Sequence, residues 1–205
     1  MRKLIVSNMV TLDGFYEGKN RSLPALFEYE HDDYANDDAY DHYNTALLRA
    51  SDTLILSGHK SFHDNQKYWS DILDNPTATA IRREYAALMR DVDKVVVSDQ
   101  LTEAELGAWS NTRIVKREDA AKEVTALKKQ EGRDIFIFAG RILWNALLLH
   151  DLVDELHFAT FPLVGGEGTP LFIGRPSMTF KLIGTQTRQG SGIVISSYVP
   201  SRVEK

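Results

Sequence analysis

Four short segments of this chain combine residue types suited to holding a phosphate or orienting a proton. Ser57-Gly58-His59-Lys60-Ser61 and Ala139-Gly140-Arg141 each place a glycine between an apolar run and a stretch of helical periodicity. A glycine turn at such a junction leaves backbone N–H groups at a helix N-terminus, where the partial positive charge favours an anion. Thr11-Leu12-Asp13-Gly14 and Ser98-Asp99 close two other apolar runs with hydroxyl and carboxylate groups. Ligands of open parallel sheets bind beyond the carboxyl ends of the strands, so these four ends predict one shared site. Taken singly, each glycine is explained by a tight strand-to-helix turn. Several on one sheet edge point to a dinucleotide. His59 and His63 are spaced as metal ligands on a helix would be, but no third ligand or zinc motif accompanies them, and no metal is expected.

The elements that must position these groups read as alternating strands and helices. Lys3–Val10, Asp52–Ser57, Lys94–Ser98, Arg113–Lys116, Asp134–Ala139 and Leu156–Phe161 are apolar runs of strand length. Helical spacing predicts helices over Asp33–Ala50, through Ile81, Tyr85, Leu88 and Met89, over Glu118–Glu131, and through Leu143, Ala146 and Leu147. Asn65–Ala78 is expected to be irregular. Met178–Ile183 and Ile193–Val199 flank Gly190-Ser191-Gly192 and read as an antiparallel pair. The pattern predicts an α/β fold: a mostly parallel sheet flanked by helices on both faces, with antiparallel C-terminal edge strands.

The 205 residues suit one domain spanning 1–205. There are no cysteines, which excludes disulfides, thiolate metal sites and a cysteine nucleophile, and fits a cytoplasmic setting. A net charge of −5 without a basic patch argues against nucleic acid, and no run approaches the roughly 20 apolar residues of a membrane helix.

The ordered motifs resemble the dihydrofolate-reductase-like family that includes the C-terminal reductase domain of the bifunctional riboflavin-biosynthesis enzyme. Ser57-Gly58-His59-Lys60-Ser61-Phe62 is similar to the family's Gly-Arg-x-Thr phosphate turn. Ser98 resembles the serine ending its adenine-side strand, and Ala139-Gly140-Arg141-Ile142-Leu143 its Gly-Gly turn facing the pyrophosphate. Thr11-Leu12-Asp13-Gly14 resembles the Ser-Leu-Asp-Gly near nicotinamide and substrate. Leu152-Val153-Asp154-Glu155-Leu156, then Pro162, Gly165, Gly166, Gly168 and Pro170-Leu171-Phe172, follow the family's order. The resemblance implies NADPH as cofactor and a homodimer. His59 and Asp99 stand where relatives carry arginines for a 2′-phosphate, which leaves NADH open. Ala139 replaces a glycine and is costly if that turn needs a cis bond or positive φ.

A reductase also needs a proton source and walls for a flat substrate. Asp13 either orients substrate or caps its own turn. Asp41 and Asp38, on the first helix, are the other acid candidates. The surrounding acidic run from Glu30 to Asp41 reads as a solvated helix start. Phe15, Tyr16, Tyr68 and Trp69 either stack on a heterocycle or plug the core. Glu167 either touches substrate or faces solvent. The resemblance thus implies an NAD(P)H-dependent reductase of a pterin, folate or ribosylaminopyrimidine, acting without the family's deaminase domain. The rival expectation is a non-catalytic, nucleotide-binding homo-oligomer of the same fold.

Overall fold

The computed structural model describes residues 1–34 and 37–202. Its centre is an eight-stranded sheet. The strands are β1 (Leu4–Thr11), β3 (Ser51–Ser57), β4 (Asp93–Val97), β5 (Thr112–Val115), β6 (Asp134–Phe138), β7 (Glu155–Phe161), β9 (Met178–Thr187) and β10 (Val194–Arg202), in the spatial order β5-β4-β3-β6-β1-β7-β10-β9. β1 and β3–β7 run parallel, while β10 is antiparallel to both β7 and β9. Two further strands, β2 (Phe15–Gly18) and β8 (Gly168–Pro170), form a separate antiparallel ribbon.

Side chains alternate along each buried strand and so serve two cores. On one face Ile55, Val95, Val97, Ile135 and Ile137 pack with α4 (Ala120–Lys129) and α5 (Arg141–Leu149). On the other, Leu54, Leu56, Val96 and Phe136 pack with α1 (Ala39–Ala50), α2 (His59–Asp74) and α3 (Ala80–Asp91). The α/β sheet with helices on both faces and antiparallel closing strands is therefore present. No helix among the described residues is long and apolar enough to cross a membrane.

Three expectations need correction. Residues from Asn65 to Asp74 are not irregular but continue α2. Its inward stripe, Phe62, Trp69 and Ile72, is sparse because Gln66 fills the gap, donating to the Leu106 carbonyl at 2.6 Å. Trp69 is consequently core, 5% exposed, with its ring 4.7 Å from that of Tyr85. The first helix starts at Ala39 rather than Asp33 (Ala35 of that expected helix lies outside the described residues). Asp37 and Asp38 are not merely solvated: Asp37 accepts from Ser191 Oγ at 2.5 Å and Gly192 N–H at 3.1 Å, and Asp38 pairs with Arg188 at 2.6 Å. These acids hold the β9–β10 turn against the start of α1.

Candidate active site

β3 and β6 are parallel neighbours, so their carboxyl ends lie side by side. Gly58 begins α2 with φ 89°, and Gly140 begins α5 with φ 65°. A Cβ placed on Gly140 would lie 3.7 Å from the Ser57 Cβ, so the two turns are in contact. The N-cap residue of each helix is a glycine, so neither helix is capped by its own N-cap side chain. Two glycine-initiated helix starts thus meet at one sheet edge, an arrangement suited to a diphosphate. The N–H of Gly58 is not among the available donors, since it is bonded to the Val97 carbonyl at 2.9 Å. The free amides begin at His59.

Ala139 precedes Gly140 at φ 60°. Alanine in this left-handed region costs roughly 1 kcal/mol. The turn is held in place from outside, by the Ala139 N–H bonded to the Ser7 carbonyl at 3.1 Å. The Tyr16 hydroxyl sits against the Gly140 and Arg141 amides, over the start of α5. Burial pushes that phenol up to about 12, against the pull of the Arg141 charge and of these amides.

Several side chains matched to cofactor or substrate are committed elsewhere. Thr11 Oγ1 donates to Asp13 Oδ1 at 2.6 Å and accepts from the Phe15 N–H at 2.9 Å. Ser98 Oγ accepts from the Gln100 and Leu101 amides. Arg141 donates to the Pro170 and Phe172 carbonyls, Leu143 is buried in the core, and Ile142 is exposed. Of the backbone N–H groups of these three α5 residues, that of Leu143 is bonded to the Gly140 carbonyl at 2.9 Å. Lys60 pairs with Asp64, and the Ser61 carbonyl accepts from Asn65 at 2.8 Å. Asp99 accepts from the Arg117 amide at 3.0 Å, which ties it to the neighbouring loop. Glu167 forms an exposed ion pair with Lys19 at 2.8 Å and takes the solvent-facing alternative. Phe15 packs on Gly165, at the mouth of the edge.

Asp38 is paired with Arg188, and the other two acid candidates, Asp13 and Asp41, separate clearly. Asp13 accepts from Thr11 Oγ1, from Gly165 N–H at 2.9 Å and from Gly166 N–H at 2.8 Å. These bonds, with Thr11's the largest influence, hold its carboxyl at about 2. These bonds tie the β1–β2 turn to the glycine-rich loop and favour the ionised carboxylate. Because its pKa is depressed from 3.8, its contribution to stability is complete above about 4 and is lost as pH falls through about 2. Asp13→Asn should flatten the fall in stability across that window, as read by denaturant unfolding at several pH values. An unchanged acid limb would contradict the assignment.

Asp41 behaves oppositely. It lies in the first turn of α1. Because α1 leads directly into the amino end of β3, that first turn lies towards the carboxyl edge. Burial raises the Asp41 carboxyl, and the Arg82 charge only partly offsets this. Arg82 Nε lies 3.8 Å from Asp41 Oδ2, and its guanidinium also donates to the Tyr68 hydroxyl. Arg82 is not marked in the sequence, because α3 meets α1 only in the fold, through packing and the Arg82–Asp41 and Arg49–Glu84 pairs. Glu105, whose Oε1 lies 2.8 Å from His59 Nε2, is likewise unmarked. Hydrogen bonds from His59, the largest influence, and from Thr102 hold Glu105 at about 2.

A cleft of about 430 Å³ opens at the opposite, amino edge of the sheet. It is lined by Arg2, Asp52, Lys94, Asn111 and Arg113 among others, but its cations are internally paired. Arg2 binds Asp52 and Thr53, Lys94 donates to two backbone carbonyls and Asn111, and Arg113 pairs with Glu123. This charged, self-satisfied lining does not offer the free donors that the carboxyl edge does.

The model of the RibD C-terminal domain family matches residues 2–195. The chain belongs to that family. Among curated proteins it is 32% identical over 194 residues to the Bacillus subtilis protein YyaP, covering 94% of this chain and 92% of that one. Its fold is shared with a protein of Shewanella sp. PV-4 assigned to riboflavin biosynthesis, at TM-score 0.65 and 22% identity over 98% of this chain and 99% of that one. It is shared too with the diaminohydroxyphosphoribosylaminopyrimidine deaminase/5-amino-6-(5-phosphoribosylamino)uracil reductase of Thermotoga maritima, at TM-score 0.60 and 11% identity. That likeness covers 98% of this chain but 57% of the Thermotoga one. The RibD C-terminal domain match takes in Thr11, Gly58, Gly140 and the Leu152–Phe172 run that carried the resemblance.

Proposed function

We propose that this RibD C-terminal domain is an NAD(P)H-dependent reductase of a small planar heterocycle, of the pterin, folate or ribosylaminopyrimidine type. The observation that carries the reading is the contact between the Gly58 and Gly140 turns, which joins two glycine-initiated helix starts at one edge. The amides of His59–Ser61 and of Arg141–Ile142 are the groups that would hold the diphosphate, and Tyr16 must swing off the α5 start to admit it. The nicotinamide, when bound, supplies the hydride. Asp41, with its raised carboxyl beside Arg82, is the protein group suited to hold the proton. His59 is paired with Glu105, and Asp99 puts a negative charge where a 2′-phosphate would need a positive one, so neither position favours that phosphate. The reading therefore includes NADH beside NADPH. A cytoplasmic homodimer completes it: β9 is the outermost strand, and its outer edge is one along which a second copy could pair.

The test is a thermal titration with NADPH and NADH, followed by turnover assays on ribosylaminopyrimidines, pterins and folates. At a hundred times Kd the cofactor adds about 2.7 kcal/mol, a rise in Tm of roughly 5–10 °C for a chain of this size. No shift with either nucleotide would overturn the reading. A shift without turnover would favour the non-catalytic nucleotide-binding homo-oligomer, for which the strained Ala139 and the altered His59 speak.

A further inference from the structure

We propose that His59, His63 and Glu105 form a binding site for a borderline divalent transition ion, with Zn²⁺ as the reference case. His59 and His63 stand one turn apart on α2, with ring centroids 4.7 Å apart and planes crossing at 76°. The spacing supplied two ligands, and the third comes from a distant turn: Glu105, 46 residues after His59, ends the short helical turn Glu103–Glu105. Glu105 Oε1 is 2.8 Å from His59 Nε2 and 3.8 Å from His63 Nε2. One donor atom from each of the three residues lies within 4.8 Å of the others. Zinc bonds of about 2.0–2.2 Å place tetrahedral ligand atoms about 3.3 Å apart. Small side-chain rotations therefore close the set.

The environment suits such an ion. The three side chains are 35%, 36% and 37% exposed, which leaves room for water as a fourth ligand. Glu105 is held by its other oxygen, Oε2, which accepts from Thr102 N–H at 2.9 Å and Thr102 Oγ1 at 2.6 Å. That outer contact aims Oε1 at the imidazoles, as supporting residues do in metal centres. Two neutral imidazoles and a carboxylate select zinc, cobalt, nickel or copper over magnesium and calcium, which prefer all-oxygen sets. A simple His59–Glu105 hydrogen bond accounts for two of the three groups but leaves the approach of His63 to the same oxygen unexplained.

The ion would sit on the first turn of α2, but the proposal does not rest on the reductase reading, and its test omits the dinucleotide. Tag-free, chelator-treated full-length protein is titrated with Zn²⁺ by calorimetry, with Co²⁺ by visible absorption, and with Mg²⁺ as competitor. The expected result is one Zn²⁺ per chain, visible Co²⁺ bands, and no displacement by Mg²⁺. His63→Ala, which leaves the His59–Glu105 contact and the Thr102 bonds in place, should weaken Zn²⁺ by more than about a hundredfold, and Thr102→Ala by roughly tenfold. His150→Ala should leave it unchanged. Absence of saturable Zn²⁺ binding, equal binding by His63→Ala, or displacement by Mg²⁺ would each overturn the site.

Discussion

Gly140→Asp lowers the affinity for NADPH and NADH by a hundredfold or more while leaving the fold intact. Space is not the obstacle: a Cβ at Gly140 meets only Ile137 at 3.5 Å and Ser57 at 3.7 Å. The φ of 65° adds strain of roughly 1 kcal/mol, which a domain of this size tolerates. Charge decides the outcome. At an effective dielectric of about 20, a carboxylate about 5 Å from a diphosphate charge is repelled by about 3 kcal/mol, more than a hundredfold in Kd. Fluorescence titration with the reduced nucleotides reads the effect, and circular dichroism checks the fold. Gly140→Ala is the companion variant, carrying strain without charge, and should lose much less. Equal affinity of Gly140→Asp and the parent would place the diphosphate elsewhere.

Asp41→Asn is expected to lower kcat by about 10²–10⁴-fold, the usual contribution of a positioned acid or base. The same substitution should leave the fold slightly more stable at neutral pH. Burial raises the Asp41 carboxyl, so the folded chain holds this proton more tightly than the unfolded chain does. A group of that kind loses stability as pH rises, and removing its charge removes the penalty. The parent kcat should fall as pH rises through the raised pKa, and the Asn variant should lose that limb. Together these outcomes separate a proton-holding role from a packing role, which would lower stability and leave the pH profile alone. Unchanged kcat and an unchanged profile would remove Asp41 from the site.

Most of the sheet was legible because buried parallel strands are written as short apolar runs closed by glycine or a small polar residue. Val95-Val96-Val97-Ser98 and Ile135-Phe136-Ile137-Phe138 are examples. The later half of α2 was not, because Gln66 and Asn65 occupy part of its inward stripe and make their bonds within the protein. The β2–β8 ribbon was also invisible. Its strands span four and three residues and exist only through pairing across some 150 positions. The site divides the same way. Gly58 and Gly140 were readable because backbone geometry demands them. The commitments of Asp13, Arg141, Asp99 and Glu105 were not, because each depends on a partner that periodicity does not reveal. Asp13 meets Gly165 across 152 residues, and Arg141 meets Pro170 across 29.

The β2–β8 ribbon determines how the mouth of this edge can move. Asp13 grips Gly165 and Gly166, Lys19 reaches Glu167, and Gly168 approaches so closely that an added Cβ would stand 2.1 Å from the Glu17 carbonyl oxygen. Two segments far apart in the chain are thereby riveted into a single plate. Any widening of the entrance has to lift that plate as one piece, pivoting where it leaves β1 and β7, and carry Tyr16 away from the start of α5 in the same stroke.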